Sequence, residues 1–158
     1  MVSVVLCSFL ILWYSCAGVK SATITLTPKN FSKIGISKHP CFGTCPVYNI
    51  LIQKNGEALL RANANLKTGL KGEYRSVLSS REIKQVIEAL QYAGFFSLQD
   101  SYGDKAVSDL PSTDIEVELL DGTKKNVHDY GNQGTTGLQQ LYEVIDSIVN
   151  NKKWKTDK

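Results

Sequence analysis

Charge is missing where most chains have it: residues 1–19 contain no Asp, Glu, Lys or Arg. The apolar run inside that stretch, residues 2–14, is too short to cross a bilayer as a helix and has the length of a signal-peptide h-region. Histidine is equally scarce. With only His39 and His128 available, a Ser/His/Asp hydrolase would need His128 as base, a serine such as Ser112 and an acid such as Asp109 or Asp114. Neither a G-x-S-x-G elbow nor an H-E-x-x-H segment is present to support hydrolysis. The net charge is only +3, and the compact basic run Lys152, Lys153 and Lys155 around Trp154 reads as a solvated tail. Without a basic face or Arg clusters, no nucleic-acid partner is expected. Gly131, Gly134 and Gly137 follow a strand and precede a helix but lack the G-x-G-x-x-G order and a P-loop lysine, so they read as a loop rather than a phosphate cradle. Asp104, Asp109 and Asp114 lack EF-hand spacing, and no Ca²⁺ site is expected from them.

Cysteine is also sparse, at four residues, and each has a distinct reading. Cys7 lies in the apolar run. Ser15-Cys16-Ala17-Gly18 resembles the cleavage box of bacterial lipoproteins, in which the cysteine becomes the acylated N-terminus. On that reading residues 1–16 are a signal peptide ending in a lipoprotein box, and residues 17–30 are a Thr-, Ser- and Lys-containing tether. Residues 31–154 form a single domain, and residues 155–158 a basic tail. The protein is expected to be exported to the bacterial cell envelope, in the periplasm or outer membrane, and to meet the membrane through lipid on Cys16.

Once Cys7 has left with the signal and Cys16 carries lipid, Cys41 and Cys45 remain as one closed pair. They sit in His39-Pro40-Cys41-Phe42-Gly43-Thr44-Cys45-Pro46-Val47-Tyr48. Pro40 and Pro46 fix their own φ and push the residues before them towards extended conformations, while Gly43 lets the short loop reverse. Three readings follow. The sulfurs can form a structural disulfide, as an oxidising compartment favours. They can act as a redox pair, or they can serve as soft metal ligands with His39 or His128 as a third.

The remainder alternates between strand and helix signals. Ile34 and Ile36 mark a first strand that runs into the cysteine turn. Tyr48, Ile50 and Ile52 share a face of the next, and Asn55-Gly56 predicts a hairpin to a partner over residues 57–64. A fourth strand is predicted over residues 73–78. Ser79 with Glu82 makes a capping box for a helix carrying Ile83, Val86, Ile87 and Leu90 on one side and ending at Gly94. Phe95, Phe96 and Leu98 are expected to plug the core, followed by a loop over residues 99–112. Ile115, Val117 and Leu119 alternate with Asp114, Glu116 and Glu118, Asp121-Gly122 turns the chain, and residues 123–130 return. A last helix over residues 137–150 carries Leu138, Leu141, Tyr142, Ile145, Ile148 and Val149 as its apolar stripe. The expected fold class is α+β, an antiparallel sheet with two α-helices packed on one face. Hairpin then helix occurs twice in the chain order.

Cys41-Phe42-Gly43-Thr44-Cys45-Pro46-Val47-Tyr48, the Asn55-Gly56 hairpin, Phe95-Phe96, Tyr102, Asp109-Leu110-Pro111, Asp121-Gly122, and Ile145-Asp146 near Trp154 together resemble the bacterial domain-of-unknown-function family 6438. The resemblance spans residues 31–154 and implies an exported protein or lipoprotein without supplying an activity. Cys-x-x-x-Cys-Pro also resembles the copper chaperones of cytochrome oxidase assembly, which complete a Cu(I) site with a downstream histidine. The expected function is a non-catalytic binding or interaction module, without cofactor, facing an envelope protein or small ligand and braced by a Cys41–Cys45 disulfide. The alternative is a periplasmic Cu(I)-binding or thiol-redox protein using Cys41, Cys45 and His128.

Overall fold

The computed structural model of the chain describes residues 24–156. Its centre is β1 (Phe31–Lys38), which pairs antiparallel with β2 (Val47–Gln53) on one side and with β6 (Ser112–Leu119) on the other. From β2 the chain continues outward through β3 (Glu57–Ala64) and β4 (Gly72–Val77); β6 pairs with β7 (Lys124–Tyr130). Two short strands close the edges. β5 (Ser101–Tyr102) runs parallel to β7, and β8 (Lys155–Thr156) pairs with β4, giving the order β5-β7-β6-β1-β2-β3-β4-β8. The fold is therefore α+β, as expected, with one largely antiparallel sheet and two long helices.

Alternation decides which side of the sheet is dry. Ile34 and Ile36 on β1, Tyr48, Ile50 and Ile52 on β2, Ala58, Leu60 and Ala62 on β3, and Ile115, Val117 and Leu119 on β6 are all buried. They join the buried residues of α1 (Ser80–Tyr92) and α2 (Thr136–Asn151) in one apolar cluster. The intervening strand residues, among them Gly35, Ser37, Asp114 and Glu116, are partly open to solvent. A register irregularity between Phe31 and Lys33 breaks the period of two, so Phe31 also faces the core, at 0% exposure.

The helix signals act as read. Ser79 accepts the Glu82 backbone N–H while the Glu82 carboxylate accepts the Ser79 backbone N–H, a complete capping box. Gly94 follows the end of α1 in the left-handed region at φ 62°. Phe95 is then buried and Phe96 packs against the core more loosely, their rings edge-to-face at 5.8 Å. Thr135 caps α2 by accepting the Leu138 N–H. Three points differ from expectation. The loop predicted over residues 99–112 contains β5, and the segment predicted as a solvated tail contains β8. Leu26, within the predicted tether, is 3% exposed and belongs to the core, with the Gln91 side-chain amide donating to its carbonyl at 2.6 Å. The signal peptide, the lipoprotein box and Cys16 lie outside the described residues.

Candidate functional site at the disulfide-closed end of the sheet

β1 ends at Lys38 and β2 begins at Val47, so the segment between them must turn the chain at one end of the sheet. Cys41 and Cys45 are joined there as a disulfide, with Cα atoms 5.8 Å apart. Further bonds fix the loop to its surroundings: the His39 N–H donates to the Ser112 carbonyl at 2.9 Å and the Phe42 N–H to the Asp109 carbonyl at 3.0 Å. The Asn65 side-chain amide donates to the Cys45 carbonyl at 3.1 Å. Asp109 adopts φ 63°, a left-handed conformation that Asp tolerates better than most residues. Fixing the loop backbone leaves Phe42 projecting from its tip at 90% exposure.

On the open side of the sheet, Asp114 stands between the chain's two histidines. His39 Nε2 lies 2.7 Å from Asp114 Oδ2, and His128 Nδ1 lies 2.5 Å from Oδ1. Partial burial raises the Asp114 carboxyl, but hydrogen bonds from His128 and His39 outweigh it and hold the group below the ordinary Asp range. His128 also stacks on Tyr130 with ring centres 6.5 Å apart. Register brings these groups together: Asp114 is opposite His128 on β7 and opposite Ser37 on β1.

The inner side carries a second polar network. Asp146 of α2 accepts from Lys38 Nζ at 2.6 Å and from the Tyr48 hydroxyl at 2.7 Å. Lys38 Nζ also lies over the Tyr48 and Tyr142 rings, 5.9 and 5.5 Å from their centres. The Tyr142 hydroxyl donates to Asp129 Oδ2 at 2.7 Å, and the Gly134 N–H donates to Oδ1 at 2.9 Å. Asp129 is 0% exposed, so both bonds answer the cost of burying its carboxylate. Burial pushes both phenols far up, and the adjoining Asp146 and Asp129 carboxylates push them further. Tyr48 and Tyr142 are thus fixed donors that tie β2 and β7 to α2.

The residues singled out by sequence separate accordingly. Cys41 and Cys45 are bonded to each other, while His128 is engaged by Asp114. Of the hypothetical hydrolytic set, His128 and Asp114 meet, whereas Ser112 and Asp109 lend backbone carbonyls to the loop. Asp104 accepts the Ala106 N–H at 2.8 Å. Among the described residues, no group of three or more His, Cys, Asp or Glu side chains is gathered so that it could hold a metal ion. Gly134, before α2, and Gly137, which lies inside its first turn, are structural. Gly134 serves Asp129, and a Cβ on Gly137 would come within 2.4 Å of the Ala93 Cα, so Gly137 lets the two helices cross closely. Sequence reasoning missed the joint engagement of His39 and His128 by Asp114 and the Lys38–Asp146–Tyr48 cluster. Each depends on pairing between distant segments.

The chain belongs to the family described as Domain of unknown function (DUF6438), whose model matches residues 32–149. The match runs from within β1 into α2 and includes the whole cysteine loop. No curated protein matches the chain.

Proposed function

We propose that this member of a family of unknown function is a non-catalytic binding module of the bacterial cell envelope. It is exported, held at a membrane through lipid on Cys16, and presents the loop closed by Cys41 and Cys45 to an envelope protein. The supporting observation is Phe42, 90% exposed at the tip of that loop. A phenyl ring so far outside the core does little for folding, whereas aromatic side chains are favoured anchors of interfaces. Closure by the disulfide and the bond to Asp109 reduce the ordering entropy that binding would otherwise cost. Behind the loop, the charged groups engage one another instead of activating a nucleophile.

A photo-crosslinking residue placed at position 42 in cells tests this reading against the same residue at position 92, where Tyr92 is 65% exposed on α1. One defined envelope protein should be captured from position 42 and not from position 92, and Phe42→Ala should abolish its co-purification without moving the melting temperature. Equal capture from both positions, or none from position 42, refutes the docking role. The copper or thiol-redox alternative needs Cys41 and Cys45 as free thiols. A thiol count on periplasmically made protein, with and without reductant, separates the two readings. Free thiols, with tight Cu(I) uptake lost on His128→Ala, would favour the alternative.

A further inference from the structure

We propose a second site, independent of the Phe42 loop, on the open face of the sheet: a depression centred on Gly35 that binds neutral, hydroxyl-rich ligands of the oligosaccharide class. The argument begins with a glycine that the fold does not require. Gly35 lies in the middle of β1, the strand on which the sheet is centred, where glycine ordinarily weakens pairing. Its φ lies outside the left-handed region, and a Cβ there would meet only Glu116 Cβ at 3.8 Å and Leu51 Cδ1 at 3.9 Å, both ordinary contacts. The β1 register irregularity lies at Phe31 and Lys33, away from Gly35. Neither backbone conformation nor crowding explains the missing side chain. A glycine in a strand interior that answers to neither marks a place where something else approaches the backbone.

The surface above it is shaped accordingly. A depression of about 590 Å³ opens from Gly35 and Ser37 over β6 and β7, and a smaller one of about 240 Å³ opens from the same two residues over β2 and β3. The combined span from β7 to β3 covers four strand spacings, about 19 Å, which suits a short oligosaccharide rather than a single small metabolite. The larger volume alone falls within the range of small-molecule sites.

Charge pairing selects the ligand class. Glu116 pairs with Lys33 at 2.9 Å and Lys124 with Glu118 at 3.1 Å. Lys125 pairs with Asp100, and Arg61 with Glu73 at 2.7 Å. Asp114 is held between His39 and His128. Each of these charged side chains already has an ion-pair or hydrogen-bond partner within the protein, so none stands alone to select an anion or a cation. The face instead presents neutral hydrogen-bonding groups: the exposed Asn126 amide, and Asn49 and Ser37, whose amide-to-hydroxyl bond at 3.2 Å leaves the Asn49 side-chain carbonyl free to accept and the Ser37 O–H free to donate, as sugar hydroxyls require. Leu51 and Leu59, opposite each other on β2 and β3, offer apolar surface to the C–H faces of a sugar ring.

The test is an amide-resolved NMR titration of the full chain with cellobiose, maltose and chitobiose, using glucose 6-phosphate and glucosamine as charged controls. At least one neutral probe should move the amides of Gly35, Ser37 and Asn126 while leaving residues 41–45 in place. Gly35→Ala should keep or raise the melting temperature and weaken that probe about tenfold or more. Phe42→Ala should bind it unchanged. If Gly35→Ala lowers the melting temperature, glycine is needed by the fold and the premise fails. Asn126→Ala, at an exposed position, is a second check on the site and must also weaken binding; undiminished binding by it overturns the proposal as well. Absence of shifts with every neutral probe at millimolar concentration, stronger binding of a charged control, or undiminished binding by Gly35→Ala each overturns the proposal. None of these outcomes bears on the crosslinking test at position 42.

Discussion

Replacing both loop cysteines, Cys41→Ser with Cys45→Ser, separates the disulfide's contribution to stability from its contribution to presentation. A loop this short removes limited entropy from the unfolded chain, and the chain-entropy relation gives about 2 kcal/mol. For a domain of this size, that is a fall in melting temperature of about 6 °C. The structure argues that the loss stays local. The His39 N–H bond to Ser112, before the loop, and the Asn65 bond to the Cys45 carbonyl, at its end, do not depend on the sulfurs, whereas the Phe42 N–H bond to Asp109 lies inside the closed loop and loosens with it. Calorimetry should therefore show one cooperative transition, shifted by roughly that amount. Hydrogen exchange should show lost protection at the Phe42 amide and unchanged protection at Ile36 and Tyr48, whose neighbours lie in the sheet. An unfolded double variant would refute this reasoning, because the loop would then be holding the core together. So would an unshifted transition with Phe42 equally protected, because the disulfide would then be redundant.

Three further outcomes can be checked. Ile87 and Ile145 are 1% and 0% exposed, so Ile87→Asp or Ile145→Asp buries an unpaired charge and should unfold the domain, at a cost of about 4 kcal/mol or more; wild-type circular dichroism melting in either would sink the packing assignment. Burial raises the Glu82 carboxyl, but hydrogen bonds from Lys152 and Ser79 outweigh it and hold the group below its ordinary 4.5. Its stabilisation is therefore present above that value and lost as pH falls through the lower folded-state pKa. Glu82→Gln should lower stability by about 1 kcal/mol at neutral pH and by less at strongly acid pH; an equal gap in urea midpoints at both would contradict the linkage. Cys16→Ser should release the protein from the membrane fraction or leave it unprocessed, whereas unchanged fractionation and mobility would count against a lipid anchor.

What could be read from the sequence was whatever is encoded within a few residues. Asn55-Gly56 specifies a two-residue hairpin, Ser79 with Glu82 starts α1 and Gly94 follows its end, so these elements lie where local chemistry puts them. β5 and β8 carry two residues each, too few for any periodicity, and they exist because β7 and β4 offer free edges. The cysteine turn was legible for the same local reason, with both sulfurs and both flanking prolines lying within seven residues of sequence. The groups on either side of it were not. Alternation alone places Asp114 on the same face as Glu116, and His128 on the same face as Asn126. It does not say that β6 returns to lie beside β1, the non-local step that brings His39, 75 residues away, to Asp114. The same holds for Tyr48 and Asp146, which are 98 residues apart and meet only because α2 crosses the core face near the start of β2. One end of the sheet is thus specified twice, locally by the disulfide and non-locally by two carboxylates that each gather partners from separate segments. A change that breaks either carboxylate cluster should loosen the loop that carries Phe42 even with the disulfide intact.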